Sequence, residues 1–400
     1  MLVRSSRTAA WAVFSAVLLG LLLWSRPSAA YPWMIRHEYT GCIPCHADPS
    51  GAGLLTEYGR AQGELLLRTR YGAKKGDEEE AGSAAGFLWF MKEPDWLLVG
   101  ASFRNGILFQ KAEGQPEQTQ FLQMEADAKA QVTLKRFRAY ASVGFLHEGG
   151  QATWITTNQA GNNLVSREHW IGVDLGEDKN WLLRGGRIDV PFGIRQDEHN
   201  LLVRTVTRTD IDSTQQDGVS LSYTSNSVRG ELMGIAGNYQ INPDAYRERG
   251  YAGYVEFNLA TGYAVGVSSL LTYAAKDIQA NVPLLRQAHG AFARISPAKP
   301  IVFLAECDAL LDKAQGTPFG VGVVGMAQAD LEPIQGVHGI LTGEVLRDPV
   351  ALGPPQWAGY VSADWFFAPH ADVRVDAMTM LIGPTQQNVV GLLAQFHVYL

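Results

Sequence analysis

Apolar and polar residues alternate strictly over a long stretch near residue 130. Between Leu122 and Leu134, apolar side chains at even positions alternate with polar or charged side chains at odd positions. A period of two is the side-chain period of a β-strand, and segments near 251–259 and 371–377 repeat it. A soluble β-sandwich can show this alternation too. Long strands with small apolar residues on one side and both charge signs on the other are more typical of a barrel wall between lipid and a wet lumen.

The same pattern, followed along the chain, predicts a barrel. Sixteen candidate strands begin near residues 97, 119, 137, 167, 180, 217, 227, 250, 262, 285, 299, 319, 336, 356, 370 and 389. Asn105-Gly106 is a hairpin signal, but we place it inside the first strand. Because single-chain bacterial barrels have even strand numbers, we predict an all-β fold, an antiparallel outer-membrane β-barrel of about sixteen strands over residues 87–400. Such a barrel encloses an aqueous channel unless it is plugged.

The chain ends inside an apolar, aromatic strand, which resembles the assembly signal of bacterial outer-membrane barrels. Two sets of residues alternate on its two faces, namely Leu392, Ala394, Phe396, Val398 and Leu400 on one face and Gln395, His397 and Tyr399 on the other. A terminal Leu400 departs from the aromatic residue that is usual at this position.

One stretch interrupts the strand pattern. Between Gly185 and Gln216 there are several arginines and acidic residues. We predict a long extracellular loop that is open to solvent and held by ion pairs. The alternative is a loop that folds into the lumen and constricts it.

The N-terminus has the features of an export signal. Arg4 and Arg7 precede the uncharged apolar run Ala9–Trp24, and Ser28-Ala29-Ala30 is a small-residue cleavage site. Residues 1–30 are therefore predicted to be a signal peptide, with Tyr31 as the mature N-terminus. An uncleaved membrane anchor is the alternative. Export and the barrel pattern together predict localisation in the cell outer membrane.

A Cys-x-x-Cys-His motif follows shortly after the predicted cleavage site. Cys42, Cys45 and His46 have the spacing of a c-type haem attachment site, in which both thiols bind the porphyrin and the histidine binds the iron. We therefore predict one covalently attached c-type haem with His46 as the proximal ligand. A helix is expected near 56–68, with Thr56 as its N-cap. Residues 31–71 form the predicted head, and the charged stretch 72–86 is a predicted linker.

The second axial ligand is left open by the sequence. His37 lies five residues before Cys42, close enough to reach the other face of the haem, and it would give bis-His ligation with a low potential. Met34 is the second choice and would give a higher potential. An open site, or a ligand from a remote part of the chain, is the third alternative.

Composition excludes several classes of protein. The net charge of −7 gives no support for nucleic-acid binding, and the three cysteines exclude a disulfide scaffold because two belong to the motif. No hydrolase signature is found, since no nucleophile elbow, zinc-protease motif or phosphate-binding loop is present.

The residues around the motif resemble a known family. Thr40-Gly41-Cys42-Ile43-Pro44-Cys45-His46, followed by Leu55-Thr56-Glu57-Tyr58-Gly59-Arg60, is similar to the head of the fused monohaem cytochrome c–porins of the bacterial outer membrane, best known from iron oxidisers. Arg36-His37-Glu38-Tyr39 and the Asp48–Gly53 turn depart from the iron-oxidiser pattern and indicate a sister group.

The resemblance implies an electron carrier in which the haem head plugs the barrel and moves electrons across the outer membrane. It also implies a periplasmic cytochrome or other electron carrier as partner, with an extracellular donor or acceptor such as Fe(II). An extracellular metal oxidoreductase activity would be one form of this function. Two alternatives remain at this point: a passive diffusion porin with a structural haem head, and a soluble periplasmic cytochrome with a β-domain.

Overall fold

The computed structural model describes residues 31–39, 41–51, 53–70, 86–88, 90–147, 155–157, 162–196, 198, 200–350, 353–383 and 385–400. The predicted signal peptide 1–30 and nearly all of the predicted linker 72–86 lie outside the described residues.

Strands dominate the described part of the chain. They are β1 (Leu97–Ala112), β2 (Gln118–Leu134), β3 (Phe137–His147), β4 (Asn162–Val165), β5 (His169–Leu175), β6 (Trp181–Ile188), β7 (Gln216–Thr224), β8 (Val228–Gly237), β9 (Arg249–Ala260), β10 (Tyr263–Ala274), β11 (Leu284–Ala298), β12 (Ile301–Ala314), β13 (Gly320–Ile334), β14 (Val337–Arg347), β15 (Gln356–Ala368), β16 (Ala371–Ile382) and β17 (Gln387–Tyr399).

The helices are short. The head contains a 3₁₀ helix at Pro32–His37, an α-helix at Glu57–Gln62 and a π-helical turn at Gly63–Leu67, and the body contains an α-helix at Leu202–Thr207 and a 3₁₀ turn at Asp244–Tyr246. Across the described ranges, no helix combines the length and the apolar character needed to cross a membrane.

The strands form one closed antiparallel sheet. Each strand pairs with its neighbours in the chain, and β1 also pairs with β17, which closes the barrel. Both β4 and β5 pair with β3, so they act as one interrupted strand. The seventeen described segments therefore make sixteen positions around the barrel. The predicted antiparallel barrel of sixteen strands is confirmed, and each predicted start lies within two residues of an observed one.

The polarity of the barrel is inverted relative to a soluble protein. Large apolar side chains such as Phe145, Ile171 and Val361 point outward and are more than half exposed. Charged side chains on the inward face of the wall, such as Arg184 of β6 and Glu256 of β9, are buried in the lumen. An apolar exterior around a polar interior is typical of barrels that lie in a membrane.

The sequence pattern fails at one point in β2. Arg104 of β1 pairs with Glu125, but Asn105 pairs with Gln123, so Met124 is the extra residue of a β-bulge. A bulge reverses the alternation, because it inserts one residue into a period of two. Met124 is consequently buried, whereas the alternation predicted it on the outer face. The prediction holds on the C-terminal side of the bulge.

The segment between β6 and β7 lies inside the barrel. Backbone amides of Leu202 and Val203 donate to the Glu344 carboxylate at 2.8 and 2.9 Å, and Arg204 pairs with Glu306. The expectation of a solvent-exposed loop is therefore wrong, although the ion pairs are present. Most of its apolar residues are buried, as are Arg195, Arg204 and Arg208. Inward-facing carboxylates of the wall bind Arg204 and two backbone amides of the segment. Residues 189–215 are called the lumen segment below.

Candidate functional site

The N-terminal head is inserted into the barrel at the end that carries the short turns. The Gln335 side chain, in the turn between β13 and β14, donates to the carbonyls of Leu65 and Arg68 at 2.9 and 3.1 Å. The backbone amide of Thr69 donates to the carbonyl of Phe366 at 2.8 Å. The head thus fills the lumen from one end, and the lumen segment also occupies it.

Buried ion pairs fix the head to the wall. Arg184 donates to Asp48 and to Glu231, and none of these three side chains is exposed. Burial alone would raise the pKa of Asp48, but the adjacent Arg184 guanidinium and the hydrogen bonds from Ser50 hold it well below its usual range. Arg36 makes a second attachment, to Glu332 at 3.1 Å.

The Cys-x-x-Cys-His motif forms one tight turn. The amides of Cys45 and His46 both donate to the carbonyl of Cys42, at 3.1 and 3.0 Å. The Thr56 amide donates to the Cys45 carbonyl at 2.9 Å, and the Thr56 hydroxyl accepts from the Gly59 amide at 3.0 Å. Thr56 is therefore the N-cap, as predicted, and its helix holds the motif turn in place.

Glycine is required at the contact between this helix and the motif. A Cβ at Gly59 would lie 2.8 Å from Cys45 Cα and would overlap the Cys45 carbonyl oxygen. The backbone of the motif turn and that of the helix are therefore in direct contact.

A cavity that is open in part to solvent lies beside the motif. Cys45, His46 and Met34 of the head line one side, and the barrel wall, including Arg104 and His397, lines the other. Burial, together with the nearby Cys42, raises the pKa of the Cys45 thiol to about 12.

Cys42 is buried on the wall side of the same turn. Its sulfur accepts a hydrogen bond from Arg229 Nη1 at 2.8 Å, and Arg229 is paired with Glu256 at 2.9 Å. Cys42, Cys45 and Cys307 form no disulfide with one another, and Cys307 is exposed on the outer face of β12. Two thiols and a histidine from one turn therefore lie together at the cavity or against its wall.

The two sequence candidates for the second axial ligand have different surroundings. Met34 is 2% exposed and lines the cavity together with His46. His37 is partly exposed, and its Nε2 lies 3.7 Å from a carboxylate oxygen of Glu332 in the barrel wall. The structure thus brings Met34, and not His37, to the lining that His46 shares.

Sequence reasoning missed the wall residues of this cavity. The sequence places His397 on one face of the last strand and gives it no role, but in the structure it lines the cavity, where its ring contacts Ser102 and Asp372 at 3.2 and 3.1 Å. The signal that could have identified His397 is the alternation of the last strand, which places it on the polar face together with Gln395 and Tyr399. Arg184 and Glu168 were equally unremarkable in the sequence, because their proximity to the head depends on the register of distant strands.

No protein-family model matches the chain, and no curated protein matches it. Solved outer-membrane structures are similar in fold. OmpTdeltaL8, an outer membrane protein of Vibrio cholerae, has a TM-score of 0.57 at 10% identity and covers 76% of this chain and 100% of its own. The anion-selective porin from Comamonas acidovorans has a TM-score of 0.56 at 9% identity, with coverage of 76% and 99%. The outer membrane channel DcaP of Acinetobacter baumannii has a TM-score of 0.54 at 10% identity and covers 77% of this chain and 99% of its own. The chain thus has the fold of a porin-like outer-membrane β-barrel.

Proposed function

We propose that this protein is an outer-membrane electron-transfer protein in which one covalently bound c-type haem, inside a porin-like barrel, moves electrons between the cell exterior and the periplasm. One observation carries the proposal: the Cys42–His46 turn lies in the lumen of a closed barrel, beside a cavity that Cys45, His46 and Met34 line. A haem held there would have both mouths of the barrel within reach.

The residues present suit a c-type haem. Cys42 and Cys45 would form the thioether bonds, and His46 would be the proximal iron ligand. Met34 would be the second iron ligand, because Met34 shares the cavity with His46, whereas His37 lies outside that lining with its Nε2 3.7 Å from Glu332. The haem would supply an iron that takes up and releases one electron at a time.

The chain itself contributes enclosure and orientation. The Thr56 cap and the packing of Gly59 fix the motif turn, and the ion pair between Asp48 and Arg184 fixes the head relative to the wall. The lumen segment and the head together fill much of the barrel interior. Burial of a redox centre is one of the means by which a protein sets its potential.

Outer-membrane location is part of the proposal. The apolar exterior of the barrel supports it, as does the export signal read from the sequence. Short turns face the periplasm in bacterial barrels, so the head would meet a periplasmic cytochrome or other electron carrier there. The long-loop end would then face an extracellular donor or acceptor, such as Fe(II).

A diffusion porin is the second candidate. It is favoured by the likeness in fold to an anion-selective porin and to an outer membrane channel. In that function the head would be a plug and the haem would have only a structural role.

Electron transfer across proteoliposomes tests the proposal. The protein is reconstituted with an electron acceptor trapped inside, and an impermeant reductant is added outside. We expect the wild type to reduce the trapped acceptor, and His46→Ala to fall to the rate of empty liposomes. His289→Ala, a histidine on β11 whose ring bonds Ser269, is the matched control and should keep the wild-type rate. Full activity in His46→Ala would overturn the proposal.

A further inference from the structure

Three buried carboxylates from three separate parts of the chain meet beside the cavity. Asp48 belongs to the head, Glu168 to the gap between β4 and β5, and Asp189 to the start of the lumen segment. One oxygen of each lies within 4.8 Å of an oxygen of both others. All three side chains are almost completely buried. Electron transfer at the haem does not call for such a cluster.

Two arginines neutralise the cluster only in part. Arg184 is shared between Asp48 and Glu231, with nitrogen–oxygen distances of 3.1 and 2.9 Å. Arg195 approaches Asp189 at 3.6 Å, which is longer than a hydrogen bond. Each of these arginines therefore already forms an ion pair with at least one carboxylate.

Glu168 forms no ion pair with any residue in the part of the chain that the structure describes. The three carboxylates of the cluster therefore share the guanidinium groups of Arg184 and Arg195, and Arg184 is also paired with Glu231. Uncompensated buried charge is costly, and one divalent cation would neutralise it.

Unused oxygens point into the same cluster. The Tyr140 hydroxyl is buried and has no hydrogen-bond partner among the described residues. It lies beside Glu168, since the Tyr140 hydroxyl and Glu168 Oε2 are each 2.8 Å from the point that a Cβ of Gly53 would occupy. Glu168 Oε1 and Asp189 Oδ2 also lack hydrogen-bond partners within the described ranges. Because buried polar atoms are nearly always paired, these oxygens are available to a ligand.

We propose that Asp48, Glu168 and Asp189 bind one Ca²⁺ ion, which joins the head to the barrel wall and to the lumen segment. Oxygen-only ligands suit a hard cation, and calcium–oxygen distances of about 2.3–2.6 Å place opposite ligands about 4.6–5.2 Å apart. The three oxygens lie within 4.8 Å of one another, close enough to bind a single ion. Ca²⁺ is preferred over Mg²⁺ because it accepts irregular geometry, whereas Mg²⁺ requires a near-octahedral shell and retains several waters.

Calorimetric titration of the chelator-treated, full-length protein with CaCl₂ tests the site. We expect one saturable site in the wild type and weaker binding of MgCl₂. Glu168→Gln removes one ligand without breaking an ion pair and should weaken Ca²⁺ binding at least about tenfold. Asp308→Asn is the matched control, because Asp308 is also a buried lumen carboxylate without hydrogen-bond partners among the described residues, and it should bind Ca²⁺ normally. Equal binding by Glu168→Gln and wild type would overturn the proposal.

A second measurement on the wild type covers the case in which Glu168→Gln does not fold. Ca²⁺ should raise the temperature at which the barrel loses its compact electrophoretic mobility, and chelation should lower it. No saturable Ca²⁺ binding and no thermal shift would overturn the site. His46→Ala is expected to retain Ca²⁺ binding, so failure of the proposed electron transfer and failure of this inference give different results.

Discussion

At the scale of single residues, the motif could be predicted from the sequence and its surroundings could not. Cys42, Cys45 and His46 are adjacent in the chain, so their spacing alone identified them. Met34 and His37 are both close enough in sequence to reach the proposed haem, and distance along the chain does not distinguish them. The distinction depends on the partner of His37, Glu332, which is almost 300 residues away in sequence.

The assignment of Met34 predicts a spectroscopic difference between two variants. Met34→Ala should abolish the sulfur-to-iron charge-transfer band of the oxidised protein. It should also lower the reduction potential, because a thioether ligand raises the potential of haem iron. His37→Ala should leave both unchanged. Absorption spectra and a potentiometric titration of the purified protein give the answer. The opposite pattern would return the assignment to His37.

The contact between Gly59 and Cys45 predicts a strong effect of a single methyl group. Gly59→Ala should displace the motif turn at a cost of at least about 1–3 kcal/mol, the usual range for overpacking. We expect a reduced fraction of haem-loaded protein, measured by haem stain relative to total protein. Gly63→Ala is the control, since its Cβ would meet only the His370 ring at an ordinary 3.5 Å. Normal loading of Gly59→Ala would show that this contact is dispensable.

At the scale of elements, strands were predictable and the lumen segment was not. Strand positions follow from a period of two that each segment carries within itself. The direction taken by residues 189–215 depends on partners in β12 and β14, where Glu306 and Glu344 face inward. A charged loop can face solvent or enter a charged lumen. The side chains on the inward face of the barrel wall determine which of the two occurs.

The ion pair between Arg204 and Glu306 is expected to hold the lumen segment in place. Arg204→Ala leaves the buried Glu306 without its partner, which costs about 3–5 kcal/mol in comparable buried pairs. We expect larger and noisier ion conductance in planar bilayers as the segment detaches. Arg249→Ala removes an exposed pair with Asp244 and should conduct like the wild type. Unchanged conductance in Arg204→Ala would mean that other contacts suffice.

At the scale of the whole molecule, the barrel and its inverted polarity could be predicted, because both follow from the alternation of apolar and polar residues along each strand. The insertion of the head into that barrel could not be derived from periodicity. Arg36 and Asp48 pair with Asp330 and Arg184, which lie on strands that come much later in the chain. Only the resemblance to cytochrome–porins gave this expectation, and in the structure the head lies within the lumen.

Removal of the head predicts an open pore. Sixteen-stranded barrels normally enclose an aqueous channel, so deletion of residues 31–86 should raise single-channel conductance well above that of the intact protein. Planar bilayer recordings of both proteins measure this, with heat-modifiable mobility as the check that the barrel has formed. Equal conductance would favour the diffusion porin and contradict the filled lumen.

The central claim is that one covalent haem is enclosed in an outer-membrane barrel. The most direct measurement is a haem stain after denaturing electrophoresis of separated membranes, combined with a reduced-minus-oxidised spectrum of each fraction. We predict covalent haem on a heat-modifiable band in the outer-membrane fraction, with a c-type spectrum that disappears in His46→Ala. Haem in the soluble fraction, or an outer-membrane band without haem, would contradict the claim.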